Sequence, residues 1–209
     1  MMAAGIPVRI KICGMRRMED IEAVNAVRPD YAGFVFDSTR KRYIPFERAR
    51  ELAEHLDPFI EPVGVFVNAA VSHVLEGCHL AGIRTVQLHG QETNEYIEDL
   101  RRQADFPLRI IQAIRIEKRE DVQRAEKSRA DLILLDSGKG GTGTAFDWSL
   151  VKSAKRPFIL AGGLGPDNVQ AAIGAVHPAG VDASSSLETE GFKDPEKIRR
   201  FCEAVRSAE

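Results

Sequence analysis

The feature that most restricts what this chain can fold into is a rhythm. Short β-branched apolar runs alternate with longer segments of helical periodicity, and the pattern repeats along the whole sequence. Candidate strands cover residues 8–13, 31–36, 62–67, 85–88, 108–113, 132–136, 158–161 and 181–183. Several are almost continuously apolar, as strands covered on both faces must be. Helical stretches lie between them. Residues 18–27 carry Glu19 and Asp20 in the first turn, 45–55 open with Pro45, 68–81 have Asn68 as N-cap candidate, and 93–103 have Thr93 in that place. The remaining helices are expected at 117–127, in a short stretch near 148–152, at 168–176 and at 195–207.

Eight strand-helix units in 209 residues point to an α/β architecture, a closed (β/α)8 TIM barrel forming one catalytic domain over residues 1–209. An open doubly wound sheet is the structural alternative. A barrel this small has short loops, with one exception, the glycine-rich stretch 137–144 after the sixth strand.

Composition narrows the function. Twenty-nine basic and 31 acidic residues leave a net charge of −2, with no basic run of the kind that grips nucleic acid or an anionic membrane. The first residues show no basic region followed by a long apolar one, so no secretory signal is expected. Nor does any stretch approach the roughly 20 apolar residues of a membrane helix. Cys13, Cys78 and Cys202 are odd in number and widely spaced, which fits neither a disulfide framework nor a metal knuckle. A cytoplasmic protein is expected.

In a barrel, chemistry belongs at the C-terminal ends of the strands. That rule selects Cys13, Asp37, Asn68, His89, Asp136, Gly162, Gly163, Ser184, Ser185 and Ser186. Cys13 is either a small core residue or a partly exposed base beside a cation, with Gly14 leaving room for a ligand. Asp136 follows the apolar run Leu132-Ile-Leu-Leu, where desolvation suits a carboxyl to proton donation, although a cap or a loop salt bridge is the plainer role. Gly162 and Gly163 after the seventh strand, with the serines after the eighth, read as a phosphate cradle of backbone N–H groups and exposed hydroxyls. Arg42 can grip a carboxylate or belong to a solvated run with Arg40 and Lys41. His89 either contacts the ligand or orients its loop. Cys78 and Cys202 fall in helices and read as structural, and His73, His79 and His177 lack metal-ligand spacing.

Taken in order, Lys11-Ile-Cys-Gly14, Gly33-Phe-Val-Phe36, Lys41-Arg-Tyr-Ile44, Val63-Gly-Val-Phe-Val-Asn68, Val86-Gln-Leu-His-Gly90, Leu134-Leu-Asp136, Gly140-Gly-Thr-Gly143 with Phe146-Asp-Trp148, Ala161-Gly-Gly-Leu164 and Val181-Asp-Ala-Ser-Ser185 resemble the phosphoribosylanthranilate isomerase family of tryptophan biosynthesis. The resemblance implies a ribulose-phosphate-binding barrel that performs an Amadori rearrangement without cofactor or metal. It implies an aspartate acid at Asp136, a cysteine base at Cys13, and Arg42 on the anthranilate carboxylate. It further implies substrate contacts from His89, Asp182 on the sugar, and the backbones of Gly162, Gly163, Ser184 and Ser185 on the phosphate. The 140–143 loop would cover the site during turnover. Many relatives have glycine where this chain has Ser186. The partner expected is a small phosphosugar, and the chain is expected to be a monomer or homodimer.

Two other families share the phosphate cradle. Indoleglycerol-phosphate synthase calls for a lysine on an inner strand, and the histidine-pathway aminoimidazole carboxamide isomerase pairs two aspartates, one at the end of strand one. Cysteine at that position favours the tryptophan enzyme. A silent phosphosugar-binding barrel would need neither Cys13 nor Asp136.

Overall fold

The computed structural model describes residues 7–136 and 148–208. Eight parallel strands close into a barrel in sequence order, each hydrogen-bonded to the next and β8 back to β1. The strands are β1 (Arg9–Cys13), β2 (Tyr31–Val35), β3 (Glu61–Phe66), β4 (Thr85–Leu88), β5 (Arg109–Arg115), β6 (Leu132–Asp136), β7 (Phe158–Ala161) and β8 (Gly180–Ala183). Closure excludes the open doubly wound sheet. The helices are α1 (Met18–Val27), α2 (Phe46–Ala53), α3 (Val71–Ala81), α4 (Asn94–Gln103), α5 (Arg119–Glu126), α6 (Val169–Val176) and α7 (Pro195–Arg206). A 3₁₀ helix (Trp148–Ser153) occupies the short sixth position. The 137–144 loop, with Phe146, lies outside the described residues.

Alternation along each strand builds two cores. Ile10, Ile12, Val86, Leu88, Ile133 and Leu135 turn outward and pack with the helices. Tyr31, Val63, Ile111, Leu134 and Ile159 turn inward and fill the barrel. This is why the strands read as unbroken apolar runs. On β1 the buried inward positions are Lys11 and Cys13, so one strand places a cation and a thiol on the same inner face.

Helix ends follow local chemistry. The Thr93 hydroxyl accepts from Tyr96 N at 3.3 Å, as expected. Asp194 caps α7 through Glu196 N and Lys197 N, ahead of Pro195 in the first turn. Asn68 does not cap α3. That helix starts at Val71 behind Ala70, while Asn68 adopts φ 49° and its Oδ1 accepts from Gln91 N at 2.7 Å. The Asn68 side chain is spent on stitching the β3 and β4 loops together. Beyond β8, a two-stranded hairpin of β9 (Glu188–Thr189) and β10 (Phe192–Lys193) precedes α7.

Candidate active site

At the C-terminal mouth of the barrel lies a cavity of about 360 Å³. Cys13, Arg42, His89, Asp136, Asp182, Gly162, Gly163, Ser184, Ser185 and Ser186 all line it. Of the residues selected from strand ends, Asp37 and Asn68 do not. Asp37 folds its own loop, accepting from Thr39 N, Thr39 Oγ1 and Arg40 Nε, and these bonds hold its carboxyl below the ordinary range.

Cys13 is buried, not partly exposed. Gly33 on the neighbouring strand makes room for it, since a Cβ there would sit 2.8 Å from Sγ. Burial pushes the Cys13 thiol up, against the pull of the Lys11 and Lys193 ammonium groups. Gly14 does not open space for a ligand. It has φ 98°, and a Cβ there would lie 2.5 Å from Arg42 Cδ, so its missing side chain admits the arginine stem.

Behind Cys13 stands a network of buried charge. Lys11 is fully buried and its Nζ meets Asp182 Oδ1 at 3.0 Å. Burial works against the Lys11 charge, but Asp182 and Cys13 outweigh it and the pKa rises. Lys193, also buried, donates to Glu188 Oε1 and to Ser184 O, each at 2.9 Å. Here burial prevails and the pKa falls despite Glu188. Glu188 also receives Arg42 in a two-point grip, Nε to Oε1 at 2.5 Å and an Nη2 bond to Oε2 at 2.7 Å. Burial opposes the Glu188 carboxylate, yet Arg42 and Lys193 hold its pKa down. Arg42 is therefore no member of a solvated run, while Arg40 is exposed and paired with Asp37. The Nη1 edge of Arg42 has no protein acceptor among the described residues.

The opposite wall is less charged. Asp136, with a side chain 21% exposed, lies 3.3 Å from His89 Nε2. Gln87 Nε2 donates to His89 Nδ1 at 2.7 Å. Glu92 is buried under this wall and accepts from Asn68 N and Gly90 N, fixing the His89 loop.

The far end of the cavity is a nest of backbone. Gly162 and Gly163 take φ 98° and 68°, a region costly for side chains. Among the described residues, the N–H groups of Gly162, Gly163, Ser185 and Ser186 have no protein acceptor. Ser185 is exposed, as the sequence suggests, but the hydroxyls of Ser184 and Ser186 are engaged. Ser184 Oγ donates to Cys13 O at 2.9 Å, and Ser186 Oγ donates to Leu164 O, tying the β7 and β8 loops together.

Sequence reasoning gave no role to Lys11, Gln87, Glu188 or Lys193. Lys11 had a signal, a lysine inside an apolar strand two positions before Cys13. Glu188 and Lys193 had none, because only the hairpin of β9 and β10 carries them back to the mouth.

A family model for N-(5'-phosphoribosyl)anthranilate (PRA) isomerase matches residues 10–204. The chain is 44% identical over 211 residues to N-(5'-phosphoribosyl)anthranilate isomerase of Acetivibrio thermocellus, covering 96% of each. Among solved structures it is similar to monomers of the dimeric Thermotoga maritima phosphoribosylanthranilate isomerase, with TM-score 0.84, 36% identity, and coverage of 96% of this chain and 99% of that one. It also resembles a phosphoribosyl anthranilate isomerase in complex with reduced 1-(o-carboxyphenylamino)-1-deoxyribulose 5-phosphate, with TM-score 0.83 and 35% identity over 96% of this chain and 99% of the other. With its sequence matched almost end to end and its barrel superposing at this level, the chain belongs to the N-(5'-phosphoribosyl)anthranilate isomerase family.

Proposed function

We propose that the chain converts N-(5-phosphoribosyl)anthranilate into 1-(2-carboxyphenylamino)-1-deoxyribulose 5-phosphate, with Asp136 as general acid and Cys13 as general base. The observation that carries this reading is convergence. A thiol, a carboxyl, a guanidinium edge and a backbone anion nest open onto one cavity of about 360 Å³. That volume lies within the range of small-molecule sites.

The phosphate sits in the nest formed by the N–H groups of Gly162, Gly163, Ser185 and Ser186, with Ser184 holding the loop to β1. Its charge matches the unpaired donors. The anthranilate carboxylate takes the Nη1 side of Arg42, because Glu188 already occupies the Nε side. Glu188 thereby aims the guanidinium. Asp182 faces the sugar from the wall beside Cys13, and His89 flanks Asp136.

Asp136 gives its proton to the furanose ring oxygen as the C1–O bond breaks, leaving an open-chain iminium. The iminium makes the C2 hydrogen acidic, and Cys13, once its thiol proton has passed to solvent, removes that hydrogen as the thiolate. The enolamine then becomes the ketone as C1 takes up a proton and the C2 hydroxyl releases one, which returns Asp136 and Cys13 to their starting states, so atoms are rearranged with none gained or lost. Lys11 and Lys193 oppose the burial cost of a thiolate without overcoming it, and the cation formed on ring opening adds to their field. Acid and base on opposite walls of one site suit a reaction that needs both in a single turnover.

The direct test is the fluorescence decay of phosphoribosylanthranilate generated in situ. Catalysed loss of signal is expected, and a trace indistinguishable from the uncatalysed decay overturns the reading.

A further inference from the structure

Gln87 is 1% exposed, lies on the inner face of β4 and lines the cavity. Its Nε2 is engaged with His89 Nδ1 at 2.7 Å, while its Oε1 has no partner among the described residues. A buried amide oxygen without a donor is uncommon and calls for an explanation. The next link is His89 Nε2, 3.3 Å from Asp136 Oδ2. Gln87, His89 and Asp136 therefore form one chain of contacts across the wall that carries the proposed acid.

The two ends of a carboxamide have nearly the same shape and opposite hydrogen-bonding sense. With Nε2 toward His89, Nδ1 must accept, the ring proton lies on Nε2, and His89 donates to an ionised Asp136. A half-turn of the amide puts Oε1 toward His89. Nδ1 then carries the proton, Nε2 offers a lone pair, and a protonated Asp136 can donate to it. The ring holds one proton in both arrangements. The only net change is the proton Asp136 has kept or given away, and the ring proton exchanges through solvent at its exposed edge, since the His89 side chain is 37% exposed. Either orientation leaves the other amide atom without a partner among the described residues.

We propose that Gln87 is a positioning residue for Asp136: the end of its carboxamide turned toward His89 sets the histidine tautomer, and thereby whether His89 stabilises Asp136 ionised or protonated. This rests on the reading of Asp136 as the acid. Residues that fix a histidine tautomer from behind are worth about 10–100-fold where they have been removed from metal sites. Other ionisable or charged groups facing the cavity are Cys13, Arg40, Arg42 and Asp182, and Glu92 lies beneath the His89 loop. None of them contacts His89 Nδ1 through a hydrogen bond.

The test is ¹⁵N NMR of the histidine rings in the unliganded protein, with His89 assigned by loss of its signals in His89→Gln. Nε2–H is expected to predominate in the unchanged protein. Gln87→Met should give a mixture of tautomers, and Gln87→Glu, whose ionised carboxylate can only accept, should favour Nδ1–H. Kinetically, Gln87→Met should lower kcat about 10–100-fold with KM moved less than about twofold. Gln87→Glu should recover part of that loss and move the Asp136 limb of the pH profile upward. The same tautomer ratio in the unchanged protein and in Gln87→Met overturns the proposal, whether or not Gln87→Glu folds. That failure is separable from failure of the acid assignment, which Asp136→Asn reports by near-normal turnover.

Discussion

The two walls of the cavity solve different electrostatic problems. The wall built from β1, β8 and the β9–β10 hairpin holds full charges out of water: Lys11 on Asp182, and Lys193 and Arg42 on Glu188. The wall built from β4 and β6 holds Asp136 against a half-exposed imidazole, which a neutral amide backs from behind. With Cys13 as a thiol the first wall sums three positive and two negative groups to +1, and the thiolate brings it to zero. On the proposed mechanism, the base that must become an anion is set among cations, and the acid that must let go of its proton is set among groups that can change partners.

The sharpest way to break this comparison is to remove the two groups proposed to handle protons. Cys13→Ser and Asp136→Asn should each cut turnover by about 10²–10⁴-fold, the scale of general acid-base catalysis. Single-turnover fluorescence decay reads the loss, and near-normal rates in either variant take that residue out of the mechanism.

Next in size is the stability contrast. Lys11→Met leaves Asp182 buried without its cation and should cost about 3–5 kcal/mol in urea unfolding. On the other wall His89→Ala removes a half-exposed contact and should cost no more than about 1 kcal/mol. Equal costs would erase the distinction between the walls.

Arg42→Ala should raise KM about 10–100-fold, the worth of hydrogen bonds to a charged group at roughly 1.5–3 kcal/mol. Glu188→Gln keeps the guanidinium and loosens its aim, so a smaller rise in the same steady-state assay is expected. An unchanged KM in Arg42→Ala contradicts the carboxylate role.

Alkaline pH separates the thiols. All three cysteines are raised, Cys13 by burial, Cys78 to about 12 and Cys202 to about 11, from an ordinary value near 9.0. Above that ordinary value the unfolded chain gives up thiol protons that the folded protein keeps. Their contribution to stability is therefore full below pH 9 and is lost as pH rises through the folded values. Each thiol accounts for about 1.4 kcal/mol per pH unit in that window. Thermal melts between pH 8 and 10.5 should fall, and Cys78→Ala should flatten the slope; a flat profile in the parent protein argues against buried neutral thiols. Alkylation of Cys13 should reach half its maximal rate above pH 9, and Lys11→Met should move that point higher still.

Much of this was legible in the sequence, for a physical reason. Strand-end positions such as Cys13, Asp136, Gly162 and Gly163 are fixed by the barrel's periodicity, so finding the strands found the cavity. Thr93 and Pro195 read correctly as helix starts because capping is local. The misreadings came from partners distant in sequence. Asn68 looks like a cap until Gln91 claims its oxygen, and Gly14 looks like ligand space until the Arg42 stem fills it. The serines of the β8 loop read as free hydroxyls, yet Ser184 and Ser186 bond to carbonyls of β1 and of the β7 loop. Glu188 and Lys193 meet Arg42 and Ser184 only through a hairpin that local pattern does not announce.

The smallest effect concerns Ser186, which stands where the resemblance leads one to expect glycine. Its hydroxyl bonds to Leu164 O, and its Cβ lies about 3.1 Å from where a side chain on Gly165 would begin, so the β7 and β8 loops meet at this point. Ser186→Gly removes one hydrogen bond, a net loss of about 0.5–1.5 kcal/mol, and adds backbone freedom to the nest. If the N–H groups of Gly162, Gly163, Ser185 and Ser186 hold one anion together, as proposed, loosening the loops should weaken phosphate more than it weakens the fold. Inhibition by inorganic phosphate should soften by a few-fold, about threefold for each 0.65 kcal/mol lost, with kcat unchanged. A Ser186→Gly protein that binds phosphate as tightly as its parent would mean that the glycines alone shape the nest and that the serine is a substitution without consequence for it.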